Sequence, residues 1–167
     1  MVNKLPHNLG SRVNSSEKVS PASTAPNSQR TLSHVMSKNL RLVNEDFNVG
    51  QARKLMIEHH IRHILVVHQG TGALQGVLSD RDVRAIVSPF VGTPEATERD
   101  NATLNVRVGL IMKKPPFVAK GDEPLRRAVE IVLQKKVGCV PVVDSQGKPV
   151  GIVTTDDLLR EMLNVLG

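Results

Sequence analysis

Gly76-Val77-Leu78-Ser79-Asp80-Arg81-Asp82 and Gly151-Ile152-Val153-Thr154-Thr155-Asp156-Asp157 carry one pattern twice, 75 positions apart. Each has a glycine, two apolar residues, a hydroxyl residue and, three positions after the hydroxyl, an aspartate. Apolar β-branched residues running into Ser or Thr and then acids read as a short strand entering a helix, with Ser79 or Thr154 at the N-cap. Working outward, a shift of 76 lays residues 31–69 over 107–145. Met36-Ser37-Lys38 then falls on Met112-Lys113-Lys114, Asp46 on Asp122, Ala52 on Ala128, and Val66-Val67 on Val142-Val143. The chain is a tandem duplication, and that decides the fold.

Each repeat reads as strand, helix, strand, turn, strand, helix. A short strand near Leu40–Val43, or Phe117–Ala119 in the second copy, leads to an acidic helix start at Asp46 or Asp122. Pro124 suits the first helical position. Val49, Ala52, Met56 and His60 make one helical stripe; Leu125, Ala128, Val129, Val132 and Leu133 make its counterpart. The apolar runs Ile64–Val67 and Val140–Val143 are buried strands. Gly70-Thr71-Gly72 and Ser145-Gln146-Gly147-Lys148 supply hairpin turns. The third strand is Gly76–Leu78 or Gly151–Val153. Two units this small are marginal alone, so they are expected to pack together about a pseudo-twofold axis. The expected divisions are a tail over 1–30, repeats over 31–87 and 107–165, and a linker over 88–106 that carries a short helix or moves.

Composition narrows the function. Of 167 residues, 40% are hydrophobic, enough for a core, yet there are three Phe, no Tyr and no Trp. Branched aliphatic side chains must do the packing, and aromatic platforms for single-stranded nucleic acid are nearly absent. The net charge of +6 points to nucleic acid at first, but half of that excess lies in residues 1–30, where Lys4, Arg12, Lys18 and Arg30 face only Glu17. The remainder is close to balanced, which argues against a nucleic-acid partner. A single cysteine, Cys139, allows no internal disulfide and favours a reducing compartment. No apolar run is long enough to span a membrane, and nothing resembles a secretory leader. Residues 1–30, rich in Ser, Asn and Pro, read as a disordered basic arm. A sharper reading of the arm is an organelle transit peptide, against which stands its lack of an Arg-rich amphipathic helix; the expected location is cytoplasmic.

The repeated hydroxyl-and-acid pair has two readings. The bland one is a capping box worth ~1 kcal/mol of helix stability and no function. The functional one is a nucleotide half-site. Free N–H groups and the hydroxyl of Ser79 or Thr154 would meet phosphate. A carboxylate there would repel phosphate, so Asp82 and Asp157 would instead accept from ribose hydroxyls, as in dinucleotide-binding folds. The preceding glycine would allow close approach to the backbone.

Ile61-Arg62-His63-Ile64-Leu65-Val66-Val67, followed by Gly76 to Val83, resembles a CBS domain, and so does Val137 to Asp144 followed by Gly151 to Leu158. The likeness covers about residues 31–165. It implies an α/β (α+β) fold of two β-α-β-β-α repeats about a pseudo-twofold axis, here as a stand-alone CBS pair, and often a disc-shaped dimer of pairs. It further implies adenosine ligands (AMP, ADP, ATP or S-adenosylmethionine) in the clefts between the repeats. By position, Ser79 and Thr154 would meet phosphate and Asp82 and Asp157 ribose. Arg81 could add a phosphate contact where the second copy has a repelling Asp156, so the first site is expected to favour phosphorylated ligands. Lys38 and Lys114 recur at equivalent places and could also reach phosphate, or be ordinary solvated lysines. His63 lines the cleft or sits in the core with a backbone partner.

Other chemistries lack their residues. His59 and His63 are spaced for metal only on a continuous helix, which should end near His60, and no third ligand is at hand. There is no nucleophile elbow, phosphate-binding lysine loop or dinucleotide glycine fingerprint. The expectation is therefore no catalysis, no metal and no required cofactor. What remains is a homodimeric sensor of an adenosine-containing molecule that signals to a separate, unidentified effector protein. The competing reading is a ligand-free dimerisation or docking scaffold whose motifs are only helix caps.

Overall fold

A computed structural model describes residues 30–167; the expectations for the N-terminal arm lie outside the described residues. The first repeat runs β1 (Leu42–Val43), α2 (Val49–Glu58), β2 (His63–Val67), β3 (Leu74–Ser79) and α3 (Asp80–Ile86), preceded by the single turn α1 (Leu32–Val35). A connecting segment holds α4 (Glu98–Ala102). The second repeat follows as β4 (Ala119–Lys120), α5 (Leu125–Lys135), β5 (Cys139–Val143), β6 (Pro149–Thr154) and α6 (Thr155–Leu166). Each repeat forms a three-stranded sheet, β1-β2-β3 or β4-β5-β6, parallel at its first pair and antiparallel at its second. The bulge between Val66 and Val67 recurs between Val142 and Val143. The predicted β-α-β-β-α order is thus observed in both copies.

Turn chemistry accounts for the breaks. Gly72 and Gly147 close the two hairpins with φ of 71° and 74°, which a side chain would oppose. The hairpins also meet, as Leu74 N–H donates to the Gly147 carbonyl at 2.9 Å. His60 and Lys136, at equivalent positions, leave their helices in the left-handed region at φ 51° and 53°. His60 therefore does not continue the Val49–Ala52–Met56 stripe, whose three members are buried. On α5 the core face is Leu125, Ala128 and Ile131; Val129 and Leu133, expected in that stripe, are exposed. Val132, a further member of that stripe, is partly buried against the same core.

Each core contains residues from outside its own repeat. Leu32, fully buried, packs with Leu125, Ala128, Ile131, Val140, Val142 and Val153 of the second repeat. Val108 and Met112, from the approach to the second repeat, pack with Val49, Ala52, Ile64 and Leu78 of the first. Main-chain bonds hold the exchange. Ser37 and Ile152 exchange N–H···O bonds at 2.9 and 3.0 Å, and Lys113 and Val77 do the same at 2.8 and 3.1 Å. These bridges cover the outer edges of β6 and β3, which would otherwise expose unpaired strand groups. Burying Leu32 alone contributes ~1.5–3 kcal/mol, so the two repeats are stabilised as a unit.

The linker is anchored at a cap. Thr97 caps α4, and Asp100 receives hydrogen bonds from the Thr97 N–H (2.8 Å), the Thr97 hydroxyl (2.5 Å) and the Ser88 hydroxyl (2.6 Å). Those hydrogen bonds, Ser88's foremost, hold its carboxyl down at about 2. The short helix expected there is present.

Candidate functional site

Both repeated motifs close as capping boxes. The Ser79 hydroxyl donates to Asp82 Oδ2 at 2.5 Å, Ser79 N–H donates to the same oxygen at 3.0 Å, and Asp82 N–H donates to Ser79 Oγ at 3.3 Å. The second copy repeats this with Thr154 and Asp157 at 2.6, 2.8 and 3.3 Å. In each box one carboxylate oxygen serves the cap and the other is left over. The two readings of the motif are therefore compatible, because capping occupies Oδ2 and leaves Oδ1 for another donor.

What reaches the remaining oxygen differs. Lys113 Nζ lies 3.6 Å from Asp82 Oδ1, with the lysine side chain 76% exposed and the aspartate 13%. Arg160, one turn along α6, donates to Asp157 Oδ1 at 3.1 Å. Among the described residues the side chains of Lys38, Lys114 and Arg81 form no hydrogen bond or ion pair, and all three are exposed. The structure thus brings Ser79 to Asp82 and Thr154 to Asp157, and adds Lys113 and Arg160. The register of the Val77–Lys113 bridge selects Lys113 over its neighbour Lys114.

The glycines of the motif have a different neighbour from the one expected. A Cβ at Gly151 would stand 2.2 Å from Met36 Sδ, and one at Gly76 would stand 2.6 Å from Met112 Sδ and 2.9 Å from the Lys113 carbonyl. The close approach permitted there is made by the exchanged methionines, not by open space for a ligand. The sequence places Met36 and Met112 at equivalent positions but pairs neither with the glycine it covers.

His63 sits opposite Ser79 across the β2–β3 pair, as Cys139 sits opposite Thr154. Its imidazole crosses to the other repeat, where a Cβ on Gly138 would lie 2.8 Å from His63 Nε2. Burial lowers its pKa below 6.5; Asp80, Asp82 and Asp156 oppose the shift and Arg62 adds to it. Burial likewise pushes the Cys139 thiol up to about 12, leaving it an inert core group. Beside His63, Arg62 forms an ion pair with Asp156 of the second repeat.

A cavity of about 670 Å³ lies in the first repeat, between α2, α3 and Ser88–Val91. Met56, Ile57, Ile61 and Val83 are among its walls, with Arg53 and Arg84 also lining it; none of the predicted site residues does. Among the described residues no cluster of three or more His, Cys, Asp or Glu side chains is placed to hold a metal ion, and no helix is long and apolar enough to cross a membrane.

The chain is similar to known proteins in sequence and in fold. A CBS domain-containing protein of Dictyostelium discoideum is 36% identical over 134 residues, 79% of this chain and 90% of that one. The chain is 26% identical over 129 residues to a homoserine O-acetyltransferase of Methanohalobium evestigatum, spanning 23% of that enzyme's length. Among solved structures, CBSX2 of Arabidopsis thaliana in complex with AMP superposes with a TM-score of 0.66 at 28% identity, covering 82% of this chain and 98% of that one. The CBS domain pair of protein MJ0100, solved with 5′-methylthioadenosine and S-adenosyl-L-methionine, matches at a TM-score of 0.66 and 24% identity, covering 81% and 97%. The CBS domain profile matches residues 32–89 and again 108–164, so both halves of the duplication are accounted for, and the chain belongs to the CBS domain family.

Proposed function

We propose that this CBS pair is a regulatory module that binds an adenine nucleotide or adenosyl ligand between its repeats and passes the change in their disposition to a separate effector. The observation that carries the reading is the divided carboxylate. Asp82 and Asp157 each fix a helix start with one oxygen while the other faces a cation that a ligand can displace. The AMP complex of CBSX2, at 28% identity, supports an adenosine ligand. A regulatory rather than catalytic role draws support from the overlap with the acetyltransferase, which spans only 23% of that enzyme.

A homodimer belongs to the same proposal. Leu159, Met162, Leu163 and Leu166 on α6 are more than half exposed, an apolar row that a second copy would cover. The proposed location is the cytoplasm. Organelle import is the alternative, since CBSX2 is a chloroplast protein.

With no Trp or Tyr the protein absorbs little at 280 nm, so a 260-nm peak in a pure preparation reports bound nucleotide. Calorimetry with AMP, ADP, ATP and S-adenosylmethionine is the direct test. A ligand at 100 times its dissociation constant adds ~2.7 kcal/mol to stability. If all four leave heat and melting curve unchanged, the module is a ligand-free scaffold whose motifs act only as helix caps.

A further inference from the structure

We infer that Lys113 is the residue that makes the first site selective for phosphorylated adenosine ligands, held in reserve on Asp82 until a ligand arrives. The inference rests on the adenosine-ligand reading above and assigns within it a residue that the motif does not contain.

The placement is specific. Lys113 reaches the first box from the exchanged segment and is bonded through both main-chain groups to Val77, two residues ahead of Ser79. Its side chain therefore approaches from the strand side, where the Ser79 hydroxyl and the outer oxygen of Asp82 lie. The main-chain bonds fix the base of the side chain, while its tip is mostly exposed and stands 3.6 Å from Asp82 Oδ1. That is an ion pair in position but loose as a hydrogen bond. The ammonium can leave it at small cost, because exposed pairs contribute little.

A ribose hydroxyl donating to Asp82 Oδ1 would take the lysine's place. The displaced ammonium would then lie beside the sugar, within reach of a 5′-phosphate, and would carry there the positive charge that offsets repulsion by Asp80 and Asp82. The second copy lacks the device. Ser37 occupies the place of Lys113, bonded in the same way to Ile152. The cation on Asp157 is Arg160, which belongs to α6 itself, three residues after the acid. Asp156, moreover, replaces Arg81. The second site consequently suits an adenosyl ligand without phosphate.

The test is calorimetry of the full chain with AMP and with adenosine, on the unaltered protein and on Lys113→Ala, Lys113→Arg and Lys114→Ala. The Lys113 side chain makes no contact required for folding, and melting curves check that each variant is folded. Lys113→Ala is expected to weaken one AMP-binding step roughly three- to tenfold while leaving adenosine unweakened. Lys113→Arg should restore most of the loss, and Lys114→Ala should change neither ligand. Equal loss for AMP and adenosine, or no loss for AMP, overturns the role of Lys113 while leaving the sensor intact. If the unaltered protein binds neither ligand, the role of Lys113 is overturned, and the sensor falls with it only when ADP, ATP and S-adenosylmethionine fail as well.

Discussion

The two hydroxyl–acid boxes agree to within 0.2 Å in every hydrogen bond and differ in nearly everything around them. Lys113 stands against Ser37, His63 against Cys139, Arg62 against Gly138, and Arg81 against Asp156. The box itself is dictated by folding, because a strand that runs directly into a helix must satisfy the helix's first N–H groups. Nothing in folding requires the flanks to differ. A duplicated domain that kept its caps and diverged around them offers two sites of different chemistry on one frame. The differences between the flanks, more than the boxes, therefore carry information about ligands.

The largest expected difference between the copies lies at the two motif glycines. Gly76 and Gly151 are both overlaid by a methionine, but a Cβ at Gly76 would also meet the Lys113 carbonyl at 2.9 Å, whereas at Gly151 its nearest neighbours are all Met36 side-chain atoms. Overpacking of this kind costs ~1–3 kcal/mol. Gly76→Ala is expected at or above the top of that range and Gly151→Ala below it, as read by urea unfolding. A double-mutant cycle sharpens the contrast. Met36→Ala should relieve Gly151→Ala almost fully, while Met112→Ala should leave much of the Gly76→Ala cost, since a carbonyl locked in a two-way bridge cannot move aside. Equal relief at both sites would mean that the exchanged segments are held less rigidly than their hydrogen bonds imply.

Next in size is the pair His63 and Cys139. Burial lowers the pKa of His63 below its ordinary 6.5, so the unfolded chain binds this proton more readily than the folded one. Stability from this group is complete above about pH 6.5 and declines as pH falls below it, with a limiting slope of ~1.4 kcal/mol per pH unit for a single proton. The facing groups set how far the decline extends. Asp80, Asp82 and Asp156 resist it, and Arg62 promotes it. His63→Cys, which installs the residue of the other copy, should flatten the pH profile between 5 and 6.5 relative to the unaltered protein. An unchanged slope in the variant would place the titrating group elsewhere.

Much of this frame was legible in the residues because a duplication reports itself. The spacing of Gly76 and Gly151, the β-branched runs and the turn glycines were enough for the β-α-β-β-α order. The caps were legible for the same reason, since Ser-x-x-Asp and Thr-x-x-Asp are local. Two things were not. Self-comparison aligned Met36 with Met112 but held no information about which sheet each would cover, because exchange and non-exchange give the same repeat pattern; long-range pairing of Ser37 with Ile152 decides it. The choice of Lys113 over Lys114 depends on strand register, and a shift of one residue reverses which side chain faces the site. The helix stripe erred at Val129 and Leu133 because periodicity marks every apolar position, whereas a helix covering one small sheet buries only the face of Leu125, Ala128 and Ile131, with Val132 at its margin.

The smallest expected effect is at Arg62 and Asp156, and it tests what holds the copies together. The pair joins the neighbour of His63 to the start of the second box, and both side chains are more than half exposed. An exposed pair contributes at most ~1 kcal/mol and is screened by salt. Arg62→Ala should therefore shift the urea midpoint slightly at low ionic strength and not at all in concentrated salt. Its main-chain carbonyl, which accepts from Asp80 N–H at 3.0 Å, is untouched by the substitution. The exchange of Leu32, Val108 and Met112 between the cores should carry the association of the repeats instead, because buried apolar area is insensitive to that screening. A loss above ~2 kcal/mol that persisted in salt would reverse this ranking. It would make the ion pair a structural clamp, and the divergence of Arg62 from Gly138 would then follow from a need to lock the repeats, not from a difference in what the two sites bind.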